Sequence, residues 1–83
     1  MYYVYVLYSE EVGKYYIGQT NNIERRIQEH NLRQHRYTSN KGLWKLIYKE
    51  EHATRSMAMK RESFFKSGKG REFIKSNLSK LAE

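Results

Sequence analysis

The stretch Tyr2-Tyr3-Val4-Tyr5-Val6-Leu7-Tyr8, followed after a short break by Lys14-Tyr15-Tyr16-Ile17-Gly18-Gln19, decides the fold. The first run is aromatic or β-branched apart from one Leu and carries no charge, the composition of a central strand covered on both faces. Ser9 to Gly13 is polar and ends in glycine, so the second run reads as a strand that pairs antiparallel with the first. Downstream, Asn21 or Asn22 N-caps a helix, with Glu24 three positions after Asn21 as in a capping box. Ile23, Ile27 and Leu32 then recur at helical spacing through about Arg33. Residues 34 to 42 are polar and turn-rich, a loop that bears Arg36 and Lys41. Leu43 to Tyr48 contains Trp44, Leu46 and Ile47 and reads as a third strand. Thr54 caps a second helix that runs to about Lys66, where Ser67-Gly68-Lys69-Gly70 stops it. A third helix carries Ile74, Leu78 and Leu81 at i, i+4 and i+7. The expected order is ββαβαα, a mixed α/β (α+β) arrangement over a single domain, residues 1 to 83.

Composition narrows the chemistry. A chain of 83 residues is the size of one domain and has a small core, burying only about 60% of its unfolded surface. Charged residues at 30% and a mean hydropathy of −0.96 lean towards disorder, but the absence of proline and 14% aromatics, eight of them tyrosine, describe a folded chain. No cysteine occurs, so disulfides, thiolate zinc sites and cysteine nucleophiles are excluded. No apolar run approaches the ~20 residues that span a bilayer and no signal-type segment is visible, so a soluble, cytoplasmic protein is expected. Sixteen Lys and Arg against nine Asp and Glu leave a net charge of +7 and a pI near 9.7. Such an excess is costly by self-repulsion unless a polyanion uses it, which makes nucleic acid the first partner to consider.

Several polar residues border apolar faces. Glu62 has Ala58 and Met59 one turn before it and Phe65 three residues after it, so its carboxylate emerges beside the apolar stripe. Either Lys66 at i+4 pairs with it on a solvated face, or a basic group or a metal ion lies next to it. Arg26 and His30 are four apart and flank the Ile23/Ile27 stripe. Together they make a phosphate clamp, a planar fork of donors with an imidazole beside it; the plainer reading has Arg26 packing its stem and His30 pairing with surface carboxylates. Asn77 lies at the margin of the Ile74/Leu78 face, and Tyr5 and Tyr16 sit on the two arms of the hairpin. Gly68-Lys69-Gly70 lacks the spacing of a phosphate loop, and the histidines at 30, 35 and 52 lack zinc-ligand spacing.

Taken together, Tyr3-Val4-Tyr5, Tyr16-Ile17-Gly18 and the following Gln19-Thr20-Asn21-Asn22-Ile23-Glu24-Arg25-Arg26 with His30 resemble the GIY-YIG endonuclease superfamily, in particular its small standalone bacterial members. Tyr3 stands where the first motif has its glycine. The resemblance covers nearly the whole chain. It implies a three-stranded antiparallel sheet with helices around it, and metal-dependent hydrolysis of phosphodiester bonds in DNA. It places the two motif tyrosines at Tyr5 and Tyr16, the helix arginine at Arg26, the following histidine at His30, the metal-binding glutamate at Glu62 and a late asparagine at Asn77. One carboxylate suits one hard cation, so Glu62 is expected to hold a single Mg²⁺ or Mn²⁺. Tyr5 is the expected base and Tyr16 its orienting partner. An unperturbed phenol ionises near pH 10, so that role asks for nearby positive charge. Arg25, Arg33, Arg36 and Lys41 are the expected backbone contacts. A nucleic-acid-binding module of the same fold without catalysis is the alternative.

Overall fold

In a computed structural model, residues 1–32 and 43–78 are described; Arg33, Arg36, Lys41 and Leu81 fall outside them. Three strands, β1 (Tyr2–Ser9), β2 (Lys14–Thr20) and β3 (Lys45–His52), form one antiparallel sheet in the order β2-β1-β3. The helices are α1 (Ile23–Asn31), α2 (Arg55–Lys66) and α3 (Gly68–Phe73), and α3 passes directly into a π-helical turn at Ile74–Leu78. The order is ββαβαα, as the sequence indicates. Among the described residues no helix is long and apolar enough to cross a membrane.

The uncharged first run becomes the middle strand, and Val4, Tyr5, Val6 and Leu7 are all buried. Alternation then sorts its side chains into two cores. Val4 and Val6 pack with Ala58 and Phe65 of α2 and with Ile74 on one side. On the other, Tyr5 and Leu7 pack with Trp44, and Ile23 and Ile27 of α1 close over them. The third strand starts and ends later than the sequence suggests, and its register against β1 shifts between Val6 and Leu7. Leu46, opposite Leu7, joins the α1 side, while Ile47 and Tyr48 both pack on the α2 side. One extra residue in the bulge breaks the two-residue period.

Local caps agree with the sequence at two helices and revise it at the third. Asn22 rather than Asn21 caps α1, its Oδ1 accepting from the Arg25 N–H at 3.1 Å, so Glu24 is not at the capping-box position. Thr54 caps α2 through the Met57 N–H at 3.2 Å. Ser67 ends α2 and at once begins α3, accepting from the Gly70 N–H at 3.3 Å. The glycines expected to stop a helix therefore lie inside the next one. Gly70 is required by packing: a Cβ there would fall on the Phe64 carbonyl oxygen and the Phe65 Cα, which are backbone and cannot swing aside.

A polar network fastens α2 to β3. The Glu50 carboxylate accepts from Tyr48 Oη at 2.6 Å, Arg61 Nε at 2.7 Å and the His52 ring at 3.1 Å. The Arg61 guanidinium lies 4.7 Å from the centroids of both Phe64 and Phe65. Burial works to raise the Glu50 carboxyl, but the hydrogen bonds from Tyr48, His52 and Arg61 outweigh it and hold it below its ordinary 4.5. A depressed carboxyl stabilises the fold above its unfolded value and loses that contribution as pH falls through the folded one. Glu50→Gln is therefore expected to cost about 1–3 kcal/mol at pH 7, with the difference from wild type closing below about pH 4.5, as read by urea unfolding across pH.

Candidate nuclease site

The α1 face of the first hairpin carries the polar residues singled out above. Tyr5 of β1 lies opposite Gly18, and Tyr16 of β2 opposite Leu7, so both tyrosines point to the same side of the sheet. Their ring centroids are 6.2 Å apart. His30, in the last turn of α1, enters between them with centroids 6.0 Å from Tyr5 and 4.7 Å from Tyr16. Its burial is complete, and the Tyr5 hydroxyl and His30 Nε2 share a hydrogen bond of 3.2 Å. His30 is thus a partner of Tyr5.

Gly18 makes this approach possible. A Cβ there would lie 2.6 Å from Tyr5 Oη, 2.8 Å from Tyr5 Cζ and 3.0 Å from Tyr16 Cε1, so a strand position with no side chain gives the phenol its place. Two local devices hold α1 over the pair. Thr20 Oγ1 accepts from the Asn22 N–H at 3.1 Å and sets the turn into the helix. Asn31 clamps the chain before β3, accepting from the Trp44 N–H at 2.7 Å and donating to the Trp44 carbonyl at 3.1 Å. Trp44 is thereby seated edge-on to Tyr16, with centroids 6.4 Å apart. Sequence reasoning did not single out Asn31 or Trp44 as supports of the site. Their bonds link residues 13 apart and leave no periodic trace.

Electrostatics revise the part expected of Tyr5. Burial, followed by the neighbouring Tyr16, pushes its hydroxyl well above the ordinary value; Arg26 pulls the other way, and Glu62 and Glu29 add to the rise. Tyr5 is a neutral phenol. Arg26 stands on α1 one turn before His30, with its Nε 3.6 Å from Glu29 Oε1, too far for a hydrogen bond. That Nε is buried and has no hydrogen-bond partner, the one such side-chain atom among the described residues.

Glu62 belongs to α2 and reaches Tyr5 only as a charge. It is half-buried and accepts from Lys66 Nζ at 2.8 Å, the i,i+4 pair that its spacing suggests. No three His, Cys, Asp or Glu side chains gather into a ligand cluster among the described residues. An ion at Glu62 would draw most of its shell from water and phosphate oxygen. That donor set fits Mg²⁺ or Mn²⁺ and does not fit zinc. Arg25 is exposed in the first turn of α1. Asn77 is exposed, and its amide donates to the Phe73 carbonyl in its own turn at 3.1 Å. Of the sequence-derived site residues, four meet at the hairpin, Glu62 acts from α2, and Asn77 stands on the π-helical turn.

The candidate site is thus a pair of tyrosines on an antiparallel hairpin, roofed by a helix that supplies an arginine and a histidine. The GIY-YIG catalytic domain family matches residues 1–76, and the chain belongs to that family. It is 41% identical over 68 residues to a UPF0213 protein of Limosilactobacillus reuteri, covering 78% of this chain and 70% of the relative. It is 38% identical over 79 residues to a UPF0213 protein of Streptococcus pneumoniae, covering 90% and 79%. The solution NMR structure of a UPF0213 protein from Bacillus halodurans is similar in fold, with a TM-score of 0.55, 30% identity, and coverage of 92% of this chain and 84% of that one.

Proposed function

We propose that this domain is an endonuclease that hydrolyses phosphodiester bonds in DNA with the help of one divalent cation. The observation that carries the reading is the buried, unbonded Nε of Arg26 on the helix turn next to the Tyr5–His30 pair. Leaving a buried donor unpaired costs about 1–3 kcal/mol, and a guanidinium fork is the group that matches two oxygens of a phosphate.

The raised phenol of Tyr5 need not ionise for the site to work. With Nε2 of His30 unprotonated, Tyr5 can take a proton from attacking water while passing its own to the imidazole. The oxygen of water forms the new bond to phosphorus, the bond to the leaving oxygen breaks, and the proton comes to rest on His30. Arg26 holds the non-bridging oxygens as charge gathers on them. Tyr16, half-buried against His30, orients the water or the phosphate. Glu62 would hold the cation, which when bound supplies Lewis-acid polarisation of the phosphate.

The test is nicking of end-labelled DNA by wild type, Glu62→Gln and Tyr5→Phe, each with Mg²⁺ and with EDTA. Activity should need both the metal and Glu62, and Tyr5→Phe should cost about 10²–10⁴ in rate. Cleavage that survives EDTA and the Glu62 change overturns the one-metal reading. The Lys66–Glu62 pair favours a second reading, a binding module that keeps the fold without catalysis, and metal titration separates the two. If Lys66 only stands in for the ion, Lys66→Met should tighten Mn²⁺ binding by up to about fivefold, the worth of an exposed pair, as followed by water-proton relaxation. No Mn²⁺ binding in either protein supports the module.

A further inference from the structure

On the far side of Tyr16 from α1, an open groove of about 560 Å³ runs between the edge strand β2 and the α2–α3 corner. Its rim is basic: Lys14 at the start of β2, Lys66 at the end of α2, Arg71 of α3 and Lys75 of the π-helical turn. None of the described side chains that line it is acidic. Its floor is aromatic and aliphatic, made by Tyr15, Ile17 and Ile74, which all pack on the α2 side of the sheet. Tyr16 lies between Tyr15 and Ile17 on that strand, with its ring turned to the opposite face against His30. The groove thus shares the edge strand β2 with the candidate site and lies behind it. It is distinct from the α1 and loop residues first expected to hold the backbone.

We propose that this groove binds a single-stranded stretch of nucleic acid flanking the bond to be cut, phosphates on the rim and bases on the tyrosine floor. This rests on the nuclease reading for its direction, but not for its chemistry. A cationic groove with an aromatic floor is what unpaired strands bind, because every unpaired base has a face to stack. A duplex keeps its bases stacked on each other and offers only its phosphates, so it would leave Tyr15 unused. The volume lies within the roughly 300–1,000 Å³ of small-ligand pockets, room for a nucleotide or two and not for a double helix. Lys66 serves both sites, since an ion taking Glu62 would release its ammonium to the rim.

The experiment is fluorescence anisotropy in EDTA, from 50 to 200 mM salt, so that no cleavage occurs. The probes are a labelled 12-nucleotide single strand, the matching duplex, and the same strand with abasic sites in place of its bases. Wild type should bind the single strand at least fivefold tighter than the duplex and fivefold tighter than the abasic strand, the effect of stacking about one base. Lys14→Glu with Arg71→Glu, two exposed positions, should weaken single-strand binding about tenfold and lower the salt slope by about 0.7 for each phosphate no longer neutralised. Equal affinity for all three probes overturns the proposal, as does an unchanged affinity and slope in a folded double variant. The abasic comparison uses wild type alone and stands if that variant fails to fold. Single-strand preference without any cleavage overturns the nuclease reading and leaves the groove intact. Normal cleavage with no probe preference does the reverse.

Discussion

Arg26→Met is expected to lower the cleavage rate by about 10²–10³ while leaving the melting temperature unchanged or higher. The two halves come from one atom. Nε of Arg26 is buried without a hydrogen bond, so the native state carries a penalty of about 1–3 kcal/mol that an apolar side chain of similar length removes. What Met loses is the ion pair with Glu29, held at 3.6 Å with both side chains a third exposed, worth about 1 kcal/mol at most. Methionine keeps the stem that packs along α1. Arg26→Lys retains the charge without the planar fork and should fall between the two in rate. Paired measurements of melting and nicking decide the matter. A rate that collapses together with a drop of several degrees makes Arg26 a structural residue, and a rate that persists denies it the phosphate.

The sequence was legible where one residue's chemistry answers one local question. Val4 to Leu7 read as a strand covered twice because no position in it tolerates water, and both cores form on it. Thr54 and Asn22 read as caps because a short polar side chain before an apolar period has one structural use. Legibility failed where two structures share a composition. Gly68 and Gly70 are what a helix stop looks like, but Gly70 is also what two helices need to turn tightly on each other, which is the case here. Lys49-Glu50-Glu51 resembles a surface end to a strand, yet β3 runs on to His52 because Arg61, eleven residues from Glu50, satisfies its charge. The site divides the same way. Tyr5, Tyr16, Arg26 and His30 were found through their shared resemblance to a family. The same resemblance names Asn77, whose bond to the Phe73 carbonyl is all that the described residues give it. Burial of Tyr5 is a property of the assembled core, so its raised phenol could not be read from neighbours in sequence.

Gly18→Ala should damage stability and catalysis together, and the reason can be isolated. The added methyl would lie 2.6 Å from Tyr5 Oη, and Tyr5 has no space to retreat into, being 2% exposed and hydrogen-bonded to His30. Overpacking of this kind costs about 1–3 kcal/mol. For a domain of this size that lowers the melting temperature by roughly 4–24 °C. Displacing the hydroxyl by an ångström would also cost about 10² in rate, because the proton path through Tyr5 depends on its distance from both water and His30. The double variant Gly18→Ala/Tyr5→Phe separates the contact from general strand effects. Phenylalanine lacks the closest atom, so Gly18→Ala should cost less in the Tyr5→Phe background than in wild type, a coupling within the range seen for touching residues. Rescue should be partial, since Cζ at 2.8 Å and Tyr16 Cε1 at 3.0 Å remain. An equal melting loss in both backgrounds would assign the damage to the strand itself. The glycine of the second motif would then serve the sheet, and the position of the phenol would have another cause.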